Sequence, residues 1–185
     1  MKIFYTASYY GKSKYQKYYS MVLRAIEDIP NIVVISPEKE NYLQILSNSE
    51  RKALKEPKKI HYEAIRRGIL WADAVIIEIS NEDFQLGHEA TLAIQNKKHV
   101  LCLSTHEDFG EKIGNRYFKG AKYNEYNVEE IVENFVSTVK KNQFSERFNC
   151  FLTTSQISYL KEKAKKEHMN TSEYIRSLID EDRLT

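Results

Sequence analysis

Residues 72–103 read ADAVIIEISNEDFQLGHEATLAIQNKKHVLCL, and the changes of period within this stretch decide the fold. Residues 74–79 are a short apolar run of strand length. Residues 86–95 repeat their apolar side chains at helical spacing, and residues 99–103 are a second short apolar run. A strand, a helix and a strand in direct succession need a crossover connection. Such crossovers are right-handed and make the two strands parallel neighbours in a sheet covered on both faces.

The same grammar extends outward. Residues 2–6 form a β-like run, after which Tyr15, Tyr18, Tyr19, Val22, Leu23 and Ile26 recur at helical spacing. Residues 32–35 (IVVI) read as another strand, and residues 60–71 as a helix leading into the 74–79 run. The polar segment 39–59 reads as irregular or weakly helical. Residues 104–126 read as a long polar, glycine-containing connection, a kind that more often carries function than architecture. Asn127 with Glu130 three residues on is a capping-box pattern, and Val128, Ile131, Val132, Phe135 and Val139 form the inner stripe of the helix it opens.

Past a polar linker at residues 141–146 the pattern changes. Residues 147–153 (RFNCFLT) alternate as a strand, with Phe148, Cys150 and Leu152 on one face and Arg147, Asn149 and Phe151 on the other. Thr153 with Gln156, and Asn170 with Glu173, open two short helices by the capping-box rule. One strand and two short helices bury too little apolar surface to fold unaided, so residues 147–185 are expected to dimerise.

Composition narrows the function classes. With 42% hydrophobic and 29% charged residues, the 185-residue chain suits one ordinary domain, here residues 1–140, plus a small appendage. A net charge of +2 points neither to nucleic acid nor to a membrane in bulk. No apolar run nears the roughly 18 residues that span a bilayer, and the N-terminus lacks a secretory apolar region, so a cytoplasmic protein with no membrane partner is expected. Cys102 and Cys150 lie far apart on apolar runs and read as buried reduced thiols. No metal and no cofactor is expected.

Within 72–103, an Ala-Asp pair leads into a strand, a glycine-x-glutamate (Gly87, His88, Glu89) opens a helix, and a lysine-rich turn leads into the next strand. In these motifs the chain resembles the nucleoside 2-deoxyribosyltransferase superfamily, which includes the 2′-deoxynucleoside 5′-phosphate N-hydrolases. The resemblance implies a flavodoxin-like α/β domain, a parallel sheet with helices on both faces, for residues 1–140. It implies that Glu89 attacks the anomeric carbon and holds the sugar as a glycosyl ester. Chemically, a carboxylate can divide one hard displacement into two easier ones in this way, and a place in the first turn of a helix would keep it ionised.

Asp83, six residues before Glu89, stands where the nucleoside-using members carry an aspartate and the nucleotide hydrolases a serine. The resemblance thus implies a free 5′-hydroxyl rather than a phosphate, which an aspartate would repel. Gly87 and His88 fall in the same element, and Asn115 falls where the family inserts a polar side chain from a neighbouring subunit. Ser8 would hold the sugar or base edge, and Tyr5, Tyr9 or Tyr10 would stack on the base.

Three departures go with the likeness. Ile65 replaces the aspartate that helps the family bind or protonate the base, Gln85 replaces a second glycine, and the chain runs on where transferases close the site with their C-terminus. His88, Glu82 and Glu63 are the remaining candidates to protonate a departing base.

Residues 147–185 resemble a ribbon-helix-helix domain of the Arc/CopG repressor type. The likeness implies a homodimer in which Arg147, Asn149 and Phe151 read base edges of double-stranded DNA, while the amides near Thr171 and Ser172 hold a phosphate. Seven basic against six acidic residues from Arg147 onward supply little phosphate attraction. Two readings follow: an enzyme that cleaves a nucleoside N-glycosidic bond or transfers the 2-deoxyribosyl group, joined to a DNA-binding tail, or a transcriptional regulator that senses a nucleoside or deoxynucleotide and no longer turns over.

Overall fold

The computed structural model describes residues 1–142, 148–167 and 169–182. The chain divides into two compact units, Met1–Ser145 and Glu146–Thr185.

In the first unit β1 (Lys2–Ala7), β2 (Val33–Ile35), β3 (Ala74–Glu78), β4 (His99–Ser104) and β5 (Phe118–Lys122) form one all-parallel sheet in the order β2-β1-β3-β4-β5. This is the flavodoxin-like order, which reverses direction between β1 and β3. Ile3 lies opposite Val34 on one side and Ala74 on the other, so the first strand sits inside the sheet.

Alternate residues feed two cores. Tyr5, Ile76 and Leu103 pack with Tyr19 and Val22 of α1 (Lys12–Glu27) and with Val132 and Phe135 of the last helix of this unit. Phe4, Val75 and Ile77 point the other way, onto Ile65 and Ile69 of one helix and Leu86 and Ala93 of the next. These helices are α3 (Pro57–Trp71), α4 (Phe84–Gln95) and α5 (Val128–Asn142); a short α2 (Asn48–Leu54) precedes α3 and contributes no buried residue.

The polar 39–59 segment is helical in part, as α2, which Ser47 and Glu50 start with a reciprocal capping box. Two sequence readings change. The 104–126 connection contains β5, whose sequence FKGAK lacks the β-branched residues that mark a strand. Its Gly120 is obligatory, because a Cβ there would lie 2.0 Å from the Gly110 nitrogen of the loop packed across it. Asn127 does cap a turn, but its side chain accepts from the Asn124 amide rather than forming a box with Glu130.

In the second unit α6 (Thr154–Lys166) and α7 (Thr171–Asp182) are present. Thr153 and Gln156 cap the first reciprocally, as do Asn170 and Glu173 the second. The strand expected over 147–153 is not formed in its described part, 148–153, where Phe148 and Phe151 are fully open to solvent. A strand needs a neighbour for its amides and carbonyls, and the single chain supplies none here. For the same reason Cys150 is exposed, correcting the expectation of two buried thiols; Cys102 is buried. Among the described residues no helix is long and apolar enough to cross a membrane.

Candidate functional site

The carboxyl ends of β1 and β3 open where the strand order reverses, the place where doubly wound sheets bind ligands. Ser8 ends β1 and is 1% exposed. Its hydroxyl donates to Asp83 Oδ2 at 2.9 Å and accepts from Asn81 Nδ2 at 3.0 Å. Asp83 Oδ1 in turn accepts from the Gln85 amide at 2.9 Å, so Asp83 is the N-cap of α4 and ties the two strand ends together.

This cap moves the start of α4 two residues earlier than the sequence spacing predicts. Glu89 is therefore in the second turn, not at the positive end of the helix dipole. It is 1% exposed. Burial pushes its carboxyl from an ordinary 4.5 up to about 7, against the opposing influence of Gln85 and Thr6 and with some repulsion from Asp83. The expectation of a carboxylate kept ionised by a helix terminus is corrected accordingly. Its Oε1 accepts a hydrogen bond from Gln85 Nε2 at 2.9 Å, while Oε2 is buried with no hydrogen-bond partner. Native structures rarely leave such an oxygen unpaired without a reason.

Beyond Gln85 the polar contacts continue in a direction the sequence reading did not take. Gln85 Nε2 lies 3.3 Å from His61 Nε2, and His61 Nδ1 lies 3.0 Å from Tyr42 Oη. An amide nitrogen only donates, so His61 Nε2 accepts and its proton sits on Nδ1, facing the tyrosine oxygen. Burial lowers the His61 pKa, which favours this neutral form. His61 precedes Ile65 by four residues and so shares its helix face, the signal that could have found it.

Tyr9, Tyr10 and Phe84, next in sequence to Ser8 and Asp83, are 76%, 82% and 92% exposed. Gly87 is exposed, and a Cβ there would meet nothing. Three other residues named from the resemblance are engaged within this unit. Tyr5 is fully buried in the α1–α5 core, its hydroxyl donating to the Tyr19 carbonyl at 3.0 Å, so it does not line the site. His88 is turned to α3, its ring stacked on Tyr62 at 6.0 Å. Asn115 caps its own turn by accepting from the Tyr117 amide at 2.9 Å. Glu63 is clamped by Arg66 and Arg67, and these hold its carboxyl down to about 2, which removes it as a proton donor.

A second buried carboxyl, Glu78, sits at the end of β3 on the other face of the sheet. It accepts from Ser80 and from Tyr123 Oη at 2.9 Å, and burial raises it to about 7. An acidic residue closing the run AVIIE was its sequence signal.

In the second unit Asn149, Phe151 and Ser172 are exposed and Thr171 is half-buried at the start of α7; Arg147 lies outside the described residues.

The sequence matches no protein-family model, and no curated protein matches it. Among solved structures, a conserved protein from Enterococcus faecalis V583 is similar at 15% identity, covering 77% of this chain and 98% of its own, with a TM-score of 0.45.

Proposed function

We propose that the first unit cleaves or transfers the N-glycosidic bond of a nucleoside, with Glu89 as nucleophile. The observation that carries this is the Glu89 carboxyl itself, buried at the reversal point of the sheet with one oxygen held and the other unpartnered. A carboxylate that only complemented a helix terminus would sit in the first turn and be solvated. At 1% exposure Glu89 is shielded from water, so a substrate reaches Oε2 once neighbouring side chains other than Gln85, which holds Oε1, give way. Exposed Tyr9, Tyr10 and Phe84 offer faces for a planar base, and Asp83 favours an uncharged 5′-hydroxyl over a phosphate.

In the first step Oε2 bonds to the anomeric carbon as the carbon–nitrogen bond breaks. The electron pair leaves with the base, which takes a proton from water. In the second step a water, or the nitrogen of an acceptor base, displaces Glu89 from the ester and regenerates the carboxylate. The ionised form is the nucleophile, so activity rises with pH through about 7. Chromatography of a panel of nucleosides and deoxynucleotides incubated with the protein tests this: free base appears from nucleosides, faster at pH 8 than at pH 6. A panel that yields no base at either pH overturns it.

The second unit favours an added role. Its exposed Phe148, Leu178 and Ile179 are apolar surface that a second copy would bury, by pairing residues 148–153 into a two-stranded ribbon. In this reading Arg147, Asn149 and Phe151 of the ribbon meet DNA, with Thr171 and Ser172 at a phosphate, and the first unit reports nucleoside binding to the tail.

A further inference from the structure

Gln85 is the residue at which the chain departs from the glycine its resemblance implies, and its side chain is not idle. The residue is exposed, yet its amide reaches inward to Glu89 Oε1. The two N–H groups of that amide face two acceptors, Glu89 Oε1 at 2.9 Å and His61 Nε2 at 3.3 Å. The other ring nitrogen, Nδ1, lies 3.0 Å from Tyr42 Oη, which can accept its proton when Nε2 accepts from Gln85. The Gln85 amide donates one N–H to Glu89 Oε1, and neutral His61 accepts the remaining N–H.

We propose that Gln85, anchored by His61 and Tyr42, is a positioning residue that clamps Oε1 of Glu89 and thereby selects Oε2 as the reacting oxygen. This rests on the nucleophilic reading of Glu89 but is measurable without turnover. The clamp fixes the rotation of the carboxyl group about its terminal bond, which is otherwise broad and two-fold. It leaves Oε2 as the oxygen without a protein partner. It also stabilises the ionised carboxyl, in the same direction as the opposing influence of Gln85 on the burial effect. Tyr42 and His61 lie on the segments before and within α3, and Gln85 and Glu89 on α4, so the chain of bonds also fixes these two helices at the crevice.

The test uses the full-length protein labelled with 13C-carboxyl glutamate, the Glu89 resonance being assigned by its loss in Glu89→Gln. Gln85→Met keeps the side-chain length and the backbone amide that Asp83 caps while removing both donors. In it the Glu89 titration moves upward by about one pH unit, the size expected for losing a hydrogen bond to a charged group. His61→Leu moves it the same way by less, and adding it to Gln85→Met produces no further shift, as for residues acting through one contact. In base release, the acid limb of the pH profile moves up in step and kcat falls about tenfold with KM little changed.

An unmoved Glu89 titration in Gln85→Met overturns the clamp whatever the activity. So does a faster release in Gln85→Gly, which would make the side chain a mere obstruction. If no nucleoside is cleaved yet the titration moves as stated, the clamp stands and the glycosidic reading fails.

Discussion

Glu89 carries the largest electrostatic burden of the site, and it should be visible in stability as well as in chemistry. Its folded pKa, about 7, lies above the ordinary 4.5. Between those values the folded chain keeps a proton that the unfolded chain has lost, so stability falls as pH rises across this window and the penalty is complete above it. At about 1.4 kcal/mol per unit, the displacement amounts to about 3 kcal/mol. Glu89→Gln removes the titration while keeping the shape. Its stability relative to wild type should therefore grow by about that amount between pH 4 and pH 8 in denaturant unfolding, and a constant difference would show that Glu89 is not buried as described. The position of Glu89 at a strand-to-helix junction was legible in the sequence. Its burial was not, because that depends on neighbours from separate elements, Thr6 of β1 among them, and His61 was hidden because its partners come from a 3-10 turn at Tyr42 and from α4.

At the scale of elements, α3 approaches the sheet closely because Gly68 has no side chain. A Cβ there would lie 2.3 and 2.5 Å from ring atoms of the fully buried Phe4. Gly68→Ala should destabilise by about 1–3 kcal/mol in spite of the higher helix propensity of alanine, because a packed ring has nowhere to go. An equal or higher denaturant midpoint would contradict the close approach. The β3–α4–β4 passage was legible because its periods alternate sharply, and the parallel sheet followed from the handedness of crossovers. The start of α4 was not, since Asp83 had two competing roles and its cap only becomes evident once Ser8 and Gln85 are seen around it. β5 was hidden for a different reason: it is an edge strand with two lysines and a glycine, stabilised by the sheet beside it rather than by its own residues.

At the scale of the molecule, the two units ask different things of their surroundings. The first closes two apolar cores by itself, whereas the second leaves Phe148, Phe151 and Ile179 in solvent. Deleting residues 143–185 should leave a folded monomer, while the full chain should sediment as a dimer and bind double-stranded DNA in a salt-sensitive way. Arg147→Ala with Asn149→Ala should abolish the DNA complex without dissociating the dimer. A monomeric full chain would remove both expectations. The capping boxes of this unit were legible as local patterns, but the proposed ribbon is not testable in one chain, since its partner strand would belong to a second copy. The central claim remains that Glu89 attacks a nucleoside. It is tested most directly by comparing free-base release from nucleosides by wild type and Glu89→Gln at pH 8, with circular dichroism showing both folded. Release by wild type and none by the variant is the predicted result; equal release by both, or none by either, would contradict it.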